Sequence, residues 1–374
     1  MQAQDYERYN RQMILPQFGE EGQHKLLQAK VLVVGAGGLG CPVLQYLTAA
    51  GVGEIGIIDD DIISLSNLHR QVLYTTDDLN KYKTEVAASK LKRLNPSVTF
   101  HVFTERLTNS NAIDIISRFD IVADGTDNFA ARYIINDACV LLQKPFVNAA
   151  ISRFEGQVAV FNLLTPSGPS VNYRDLFPAP PTHALNCEEA GVLGVLPGII
   201  GSLQANEVIK VITGIGQPLI NRLLTFNALN NSFYQLDIIL NEEGRKLIPA
   251  NIAAFLDMDY EVLCSSSSDP EIDITVDELK ELQQKEKVTI LDVREMNEVP
   301  TIEEDHLRIP LRLLKNKPPA VTANTIVAVC HMGIRSAEAV KILKEIYGSA
   351  KKIYNLKGGI LSWQKYLYKK QQHA

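Results

Sequence analysis

Short apolar runs that end in Gly or Asp alternate with stretches of helical periodicity along the first part of the chain. The runs are Val31–Val34, Ile55–Ile58 and Ile121–Ala123, and the periodic stretches are Leu39–Ala50, Thr84–Leu94 and Ala130–Leu142. This alternation predicts a parallel sheet with helices on both faces. The alternating run Gly156–Asn162 predicts an antiparallel strand, and Pro197 suits the first turn of a helix that ends near Thr213.

A serine-rich stretch around Ser265–Ser268 separates this pattern from a second one. Beyond it, Thr275 is a candidate helix cap. Strands are predicted in VTILDVRE, TIVAVC and KIYNLKGG, and a helix in SAEAVKILKEIY. We therefore predict two α/β domains: a Rossmann-like, doubly wound domain over 1–262, a linker over 263–273, and a small domain over 274–374.

Composition narrows the function classes. The net charge of −6 argues against a general nucleic-acid or acidic-membrane binder. The polar N-terminus has no signal-peptide core, and the most apolar stretch, Gly191–Leu203, is interrupted by Pro197 and is shorter than the ~18 apolar residues of a membrane span. Five scattered cysteines include no CxxC pair, so neither a zinc site nor a disulfide framework is predicted, and we expect a reducing cytoplasm.

The segment VLVVGAGGLG contains the first candidate chemistry. Gly35, Gly37 and Gly40 fit G-x-G-x-x-G between a strand and a helix, a turn that lets backbone N–H groups approach a phosphate. Asp59 ends the next strand, where an acid can hold ribose hydroxyls. The turn indicates an adenine nucleotide, with NAD and a turn without any ligand as alternatives.

The residues after Asp59 shift the balance towards a triphosphate. Asn67 and Arg70 lie in a polar cluster, Lys83 follows, and Asp127–Asn128 come at the end of a central strand. Two cations neutralise phosphate charge while a carboxylate holds Mg²⁺. The alternative is that Arg70 and Lys83 are solvated surface charges.

Four stretches carry a family resemblance: RYNRQMILPQFGEEGQ, VGAGGLGCPVLQYLTAAGVGEIGIIDDD, SNLHRQ and ADGTDNFAARYIINDACV. Over residues 5–240 the chain resembles the MoeB/ThiF family, the ubiquitin-activating-enzyme-like adenylyltransferases. The resemblance implies that ATP adenylates the C-terminal Gly-Gly of a ubiquitin-like sulfur carrier of the MoaD or ThiS type. It also implies a homodimer. The matching positions place Gly38 in the phosphate loop, Asp59 at the ribose, Asn67, Arg70 and Lys83 around the triphosphate, and Asp127 on Mg²⁺. Arg11 matches a phosphate ligand, and in the family an arginine can reach across the dimer. Asn128, next to Asp127, is a further candidate nucleotide-binding residue.

Two cysteines are candidate sulfur carriers. Cys330, in VAVCHMGIRSAEAV, ends a strand before a glycine-containing loop and a helix, whose N–H groups stabilise a thiolate, and Arg335 adds positive charge. With ILDVREMNE and NLKGGILSWQKY, this region resembles a rhodanese domain over 274–368, which implies a persulfide on Cys330. Cys187, in ALNCEEAG, matches a family cysteine that can bond to the carrier. For each, the alternative is a buried, inert thiol.

The sequence departs from the family at its zinc site. Many members carry two CxxC pairs, but Asn172 and Asp175 stand at the first, and no second pair occurs near Asn241–Leu247. Zinc is therefore expected to be absent, and packing must supply the stability that a structural metal contributes elsewhere.

Together these features predict adenylation of the carrier, followed by sulfur transfer from Cys330 to form a thiocarboxylate, directly or through Cys187. A cysteine desulfurase or another donor would supply the sulfur. The carrier's pathway, whether molybdopterin synthesis, thiamine synthesis or tRNA thiolation, stays open. The rivals are an NAD-dependent oxidoreductase fused to a sulfur-binding module and a non-catalytic carrier-binding scaffold.

Overall fold

A computed structural model describes the chain except for residues 2, 167, 180–190, 261–271, 297, 299, 303, 315–317, 320, 332 and 373–374. The chain forms two compact units, Met1–Cys264 and Ser265–Ala374. Most of the expected linker over 263–273 lies outside the described residues, so its limits stay a prediction.

The first unit is built on an eight-stranded sheet in the order β10-β9-β6-β5-β4-β1-β2-β3. The strands β3, β2, β1, β4 and β5 are parallel, and β6, β9 and β10 continue the sheet antiparallel. The predicted parallel sheet and its antiparallel addition are confirmed. The strands are β1 (Lys30–Val34), β2 (Glu54–Ile58), β3 (Thr99–Phe103), β4 (Ile121–Asp124), β5 (Phe146–Ser152), β6 (Glu155–Phe161), β9 (Arg222–Asn227) and β10 (Ser232–Asp237), with a small separate pair β7 (Leu164–Thr165) and β8 (Gly168–Pro169).

Helices cover both faces of this sheet. Along β1, Val31 and Val33 join one apolar cluster, and Leu32 and Val34 join the other. Burial on both sides is why β1 is a continuous apolar run. The described α-helices of this unit are Ala3–Met13, Gly19–Gln28, Gly40–Ala50, Lys83–Leu94, Asn109–Ser117, Phe129–Leu141, Tyr173–Leu176, Leu196–Thr213, Glu242–Arg245 and Ile252–Asp257.

The second unit has a five-stranded parallel sheet in the order β11-β15-β14-β12-β13. Its strands are β11 (Asp273–Ile274), β12 (Val288–Asp292), β13 (His306–Arg308), β14 (Thr325–Val329) and β15 (Lys352–Leu356), and its described α-helices are Val276–Lys285, Leu311–Leu314, Ile334–Tyr347 and Gly359–Gln372. Thr275 caps the first helix in a reciprocal capping box with Glu278, as its position predicts.

Charged and amide groups join the two segments where the family's zinc ligands would stand. The buried Asp175 carboxylate accepts hydrogen bonds from the backbone N–H of Asn172 (2.8 Å) and Asn241 (2.7 Å) and pairs with Arg245 Nη2 at 2.8 Å. A Cβ added at Gly244 would lie 2.2 Å from the Arg174 carbonyl oxygen, so a ligating side chain has no room there. This donor set, with no sulfur and no imidazole, does not fit a tetrahedral zinc site.

No α-helix within the described part of the chain is both long enough and apolar enough to cross a membrane.

Candidate active sites

The glycine turn follows β1 and opens the helix Gly40–Ala50. Gly35 has a φ of +89°, and a Cβ at Gly40 would lie 1.9 Å from the Gly35 carbonyl oxygen, so the turn itself requires both glycines. Gly37 differs, because its added Cβ would meet only Gln71 Nε2, at 3.5 Å. A Cβ added at Gly38 would lie 3.1 Å from the Cβ of Pro197. Gly37 is therefore the glycine with open space for a ligand.

Asp59 links the turn to the end of β2. Its Oδ2 accepts the Ala36 N–H at 2.7 Å, and its Oδ1 accepts the Asp61 N–H at 2.8 Å. Burial raises the pKa of Asp59, while the Lys83 ammonium and the backbone N–H groups oppose that rise. A carboxylate has about four acceptor positions, so two remain for ribose hydroxyls.

Lys83 is a buried cation beside this carboxylate. Its side chain is 5% exposed, and its Nζ pairs with Asp61 Oδ2 at 2.6 Å. Burial lowers the pKa of Lys83, but the charges of Asp59, Asp61 and Asp127 outweigh it and raise the pKa overall. The alternative of a solvated surface lysine is wrong. Because a buried charge is costly without partners, this lysine belongs to a built electrostatic site.

Arg70 and Asn67 lie on the loop that follows Asp61. The Arg70 Cγ would be 3.7 Å from a Cβ on Gly38, which puts the stem of this half-buried arginine against the turn. Its Nη1 donates to the Ser66 carbonyl at 3.0 Å, and that bond leaves the rest of the guanidinium fork for other acceptors. Asn67 Oδ1 accepts the Ser64 N–H at 3.2 Å and so shapes the loop.

Asp127 and Asn128 follow the carboxyl end of β4. Asp127 is exposed, and no described residue gives it a hydrogen bond or ion pair. Asn128 Oδ1 accepts the Ala131 N–H at 2.9 Å, so Asn128 caps the helix Phe129–Leu141. Carboxylate oxygens of Asp59, Asp60 and Asp61 lie within 4.8 Å of one another, and the charges of Asp59 and Asp61 act on Lys83. Oxygen donors of this kind suit Mg²⁺.

Three residues at the turn were missed by sequence reasoning. Gln71 is 3% exposed, lies against Gly37, and its Oε1 is buried with no hydrogen-bond partner among the residues that the structure describes. Tyr74 Oη donates to the Ala36 carbonyl at 2.8 Å, and Asp61 anchors Lys83. No single-sequence signal marks these residues, because their roles depend on how the loop folds back onto the turn.

The described contacts of this site include neither of two other predicted site residues, Arg11 and Cys187. Arg11 is exposed in the last turn of the helix Ala3–Met13 and makes no hydrogen bond or ion pair with any described residue. Cys187 lies outside the described residues. Their roles stay predictions.

Cys330 follows β14 in the second unit and is fully buried. Its Sγ accepts hydrogen bonds from the Gly333 N–H at 3.1 Å and the Ser336 hydroxyl at 3.3 Å. Gly333 has a φ of +97° and precedes the helix Ile334–Tyr347. The sulfur thus sits where donors converge at a helix N-terminus, as expected for a stabilised thiolate.

Arg335 forms an ion pair with Glu298, whereas the sequence predicted that its charge would stabilise the Cys330 sulfur. Its Nη1 and Nη2 bind both carboxylate oxygens of Glu298, at 2.6 and 2.8 Å. Burial raises the pKa of Glu298, but the Arg335 guanidinium outweighs it and lowers the pKa overall. Arg335 therefore links the loop after β14 to the segment after β12. The Glu298 carboxylate compensates the positive charge of Arg335, so this charge contributes less at the Cys330 sulfur than the sequence predicted.

The two units define a class of protein, an α/β nucleotide-binding enzyme joined to a small cysteine-dependent domain. The ThiF family matches residues 9–246, and the rhodanese-like domain matches residues 275–366. The chain belongs to the ThiF family and carries a rhodanese-like domain. It is an adenylyltransferase and a sulfurtransferase.

Relatives and solved structures agree with this assignment. The chain is 39% identical to the probable adenylyltransferase/sulfurtransferase MoeZ of Mycobacterium tuberculosis, over 98% of this chain and 94% of the relative. It is 53% identical to the sulfur carrier protein adenylyltransferase of Thermus thermophilus, over 64% of this chain and 89% of the relative. E. coli MccB, solved with AMPCPP and MccA, superposes with a TM-score of 0.55 at 25% identity, over 63% of this chain and 72% of MccB.

Proposed function

We propose that the first unit uses Mg·ATP to adenylate the C-terminal glycine of a ubiquitin-like sulfur carrier. The observation that carries this proposal is Lys83, a buried cation held among Asp59, Asp61 and Asp127, of which Asp59 accepts the Ala36 N–H of the glycine turn. That charge pattern suits a metal-bound triphosphate better than NAD. The Thermus thermophilus relative, named a sulfur carrier protein adenylyltransferase, supports the choice of substrate.

In this reaction the residues of the chain bind and orient the two substrates. The carrier carboxylate attacks the α-phosphorus, the bond from that phosphorus to the bridging oxygen breaks, and pyrophosphate leaves. Lys83, Arg70 and Asn67 neutralise and align the phosphates, and Arg11 of a second copy adds another cation. Asp59 binds the ribose hydroxyls, and Asp127 would hold Mg²⁺, which would supply charge compensation for the leaving group. No general base is needed, because a glycine carboxylate is already ionised at pH 7.

Sulfur transfer then starts from Cys330. A Cys330 persulfide attacks the acyl carbon, AMP leaves, and an acyl disulfide joins the carrier to Cys330. A thiolate next attacks the Cys330 sulfur of that disulfide, which releases the carrier thiocarboxylate and leaves a new disulfide on Cys330. Cys187 is our candidate thiol, and a cellular dithiol or low-molecular-weight thiol would reduce that disulfide. A cysteine desulfurase or another persulfide donor would reload Cys330.

Three further expectations belong to this proposal. Arg11 is exposed and makes no hydrogen bond or ion pair with a described residue, which supports a homodimer in which it reaches the partner's nucleotide. The free thiols of Cys41, Cys139 and Cys330 support a reducing cytoplasm. The donor set at Asn172, Asp175, Asn241 and Gly244 supports a protein without structural zinc.

Carrier-dependent exchange of pyrophosphate into ATP tests the first step. Arg70→Ala should lower the exchange rate about 10³-fold, the scale of a phosphate-clamping arginine. The exposed Arg93 offers a matched control, and Arg93→Ala should leave the rate unchanged. Carrier binding without exchange in the wild type would favour the scaffold, and an absorbance change with NADH would favour the oxidoreductase.

A further inference from the structure

Asp124 is a fully buried carboxylate at the end of β4, and the chain continues from it into a turn over residues 125–128, here called the β4 turn. Its Oδ1 accepts the Thr126 N–H at 3.0 Å and the Thr126 hydroxyl at 2.7 Å, and its Oδ2 accepts Asn148 Nδ2 at 2.8 Å. A carboxylate is costly to bury unless hydrogen bonds satisfy it. These bonds offset that cost and tie the β4 turn to the neighbouring strand.

The strand ends below the turn are also fixed. Asp124 and Asn148 are register partners on the parallel strands β4 and β5. Gln204, which is buried in the helix Leu196–Thr213, donates from Nε2 to the carbonyls of Asp124 and Val147, both at 2.8 Å. The β4 turn therefore starts from a strand end that a helix side chain clamps to its neighbour.

The β4 turn packs directly on the glycine turn. The Gly125 N–H donates to the Val34 carbonyl at 2.9 Å, and a Cβ at Gly35 would lie 3.0 Å from the Gly125 carbonyl oxygen. Backbone contacts of this kind leave no room for side-chain adjustment. A shift of the β4 turn would therefore disturb its contact with the turn that faces the nucleotide.

The carboxylate of Asp127 depends on this backbone for its position. Asp127 is exposed and receives no hydrogen bond or ion pair from a described residue. Its neighbours on both sides are held, because the Thr126 carbonyl accepts Arg132 Nη2 at 3.2 Å and Asn128 caps the helix Phe129–Leu141. Mg²⁺ demands nearly ideal octahedral geometry, so a small displacement of a carboxylate ligand weakens its binding.

We propose that Asp124 is a positioning residue that holds the β4 turn in place, so that Asp127 meets the metal of a nucleotide bound at the glycine turn. This inference rests on the proposed role of Asp127 in holding Mg²⁺. Because Asp124 is fully buried, it touches neither the metal nor the nucleotide. It acts through its hydrogen bonds to Thr126 and Asn148.

Metal binding tests this role in the full-length protein. Mn²⁺ is the probe, the ATP analogue AMPCPP is present at saturation, and electron paramagnetic resonance of free Mn²⁺ gives the Kd. Asp124→Ala removes the hydrogen bonds of the carboxylate and should raise the Kd at least about tenfold, the usual loss when the support of a metal ligand is removed. The Mg²⁺ concentration for half-maximal pyrophosphate exchange should rise in the same proportion, because the metal binds more weakly, whereas a smaller folded fraction would lower only the maximal rate.

Two variants separate the hydrogen bonds from the charge and from general damage. Asp124→Asn keeps an oxygen for Thr126, and Asn148 can turn its own oxygen towards the new amide, so Mn²⁺ binding should stay close to wild type. Asp237→Ala, at an exposed position of the same unit, should not change the Kd. Where Asp124→Ala does not fold, Thr126→Val removes only the hydroxyl bond and should still weaken Mn²⁺ binding, by a smaller factor.

Two results would overturn the inference. One is wild-type Mn²⁺ affinity in folded Asp124→Ala or, where that variant does not fold, in Thr126→Val. The other is an equal loss in Asp124→Ala and Asp124→Asn with unchanged melting temperatures. Both results leave the proposed function standing, whereas wild-type protein that binds no Mn²⁺ in the presence of AMPCPP would refute the proposed function itself.

Discussion

At the residue scale, the glycine turn separates positions required by the backbone from the position open to a ligand. Gly40→Ala should unfold or severely destabilise the first unit, because its Cβ would lie 1.9 Å from the Gly35 carbonyl oxygen. Gly37→Ala should keep the wild-type melting temperature yet raise the KM for ATP about tenfold, since the methyl group would occupy space intended for phosphate. Thermal unfolding and pyrophosphate exchange measure the two effects. Unchanged exchange kinetics in Gly37→Ala would place the phosphates elsewhere.

Glu298 predicts a pH dependence of the second unit. Its pKa is lowered in the folded state by Arg335, so the ion pair stabilises the unit above the unfolded-state pKa of about 4.3 and loses that contribution as the pH falls through the folded value. Glu298→Gln should therefore lower the melting temperature at pH 7, and the difference from wild type should shrink and then disappear as the pH falls through the lowered folded-state pKa of Glu298. Glu345→Gln, at an exposed position, is the control. A difference that persists undiminished in acid would show that the pair contributes no such charge effect.

The sequence was informative about residues whose chemistry is local. The turn pattern predicted Gly35 and Gly40, and the charge of Lys83 marked it as a candidate phosphate ligand. The sequence did not predict that Lys83 is buried. Gln71 and Asp61 could not be found, because each acquires its partner only when the loop after β2 returns to the turn. Arg335 was found but assigned to the sulfur, since sequence alone does not reveal that Glu298 lies opposite it.

At the element scale, each apolar run predicted in the first unit forms a strand, whereas β5, whose first four residues are buried, was not predicted. The apolar run Val31–Val34 matches β1, and the run Ile121–Ala123 matches β4, because both are buried on two faces. The edge strands β3 and β10 were missed, since most of their side chains are exposed and no apolar run marks them. Helix ends shifted by about one residue, as end fraying and capping allow.

The Asp175–Arg245 pair makes a prediction about how two short helices are held together. Asp175→Ala should destabilise the first unit by about 3 kcal/mol, because it leaves the partners of a buried carboxylate unsatisfied. Lys246→Ala removes the exposed pair with Glu243 from the same helix region and should cost less than about 1 kcal/mol. Denaturant unfolding monitored in the first unit measures both, and equal losses in the two variants would contradict this account of the segment.

At the scale of the whole molecule, the two candidate metals should behave differently. Purified protein should contain no stoichiometric zinc, and chelation should not lower its melting temperature, because Asp175 and Arg245 stand where ligands would be needed. EDTA should nevertheless stop pyrophosphate exchange, and added Mg²⁺ should restore it. Elemental analysis that finds one zinc per chain would contradict the first expectation, and exchange that survives EDTA would contradict the second.

The central claim is that one chain activates a carboxylate in its first unit and supplies sulfur from Cys330 in its second. Its most direct test gives the protein ATP, Mg²⁺, a carrier ending in Gly-Gly, a reducing thiol and thiosulfate isotopically labelled at the outer sulfur, and then weighs the carrier by mass spectrometry. The account predicts labelled thiocarboxylate with wild-type protein, and with Cys330→Ala none, while pyrophosphate exchange stays intact. Labelled thiocarboxylate formed by Cys330→Ala at the wild-type rate would contradict it.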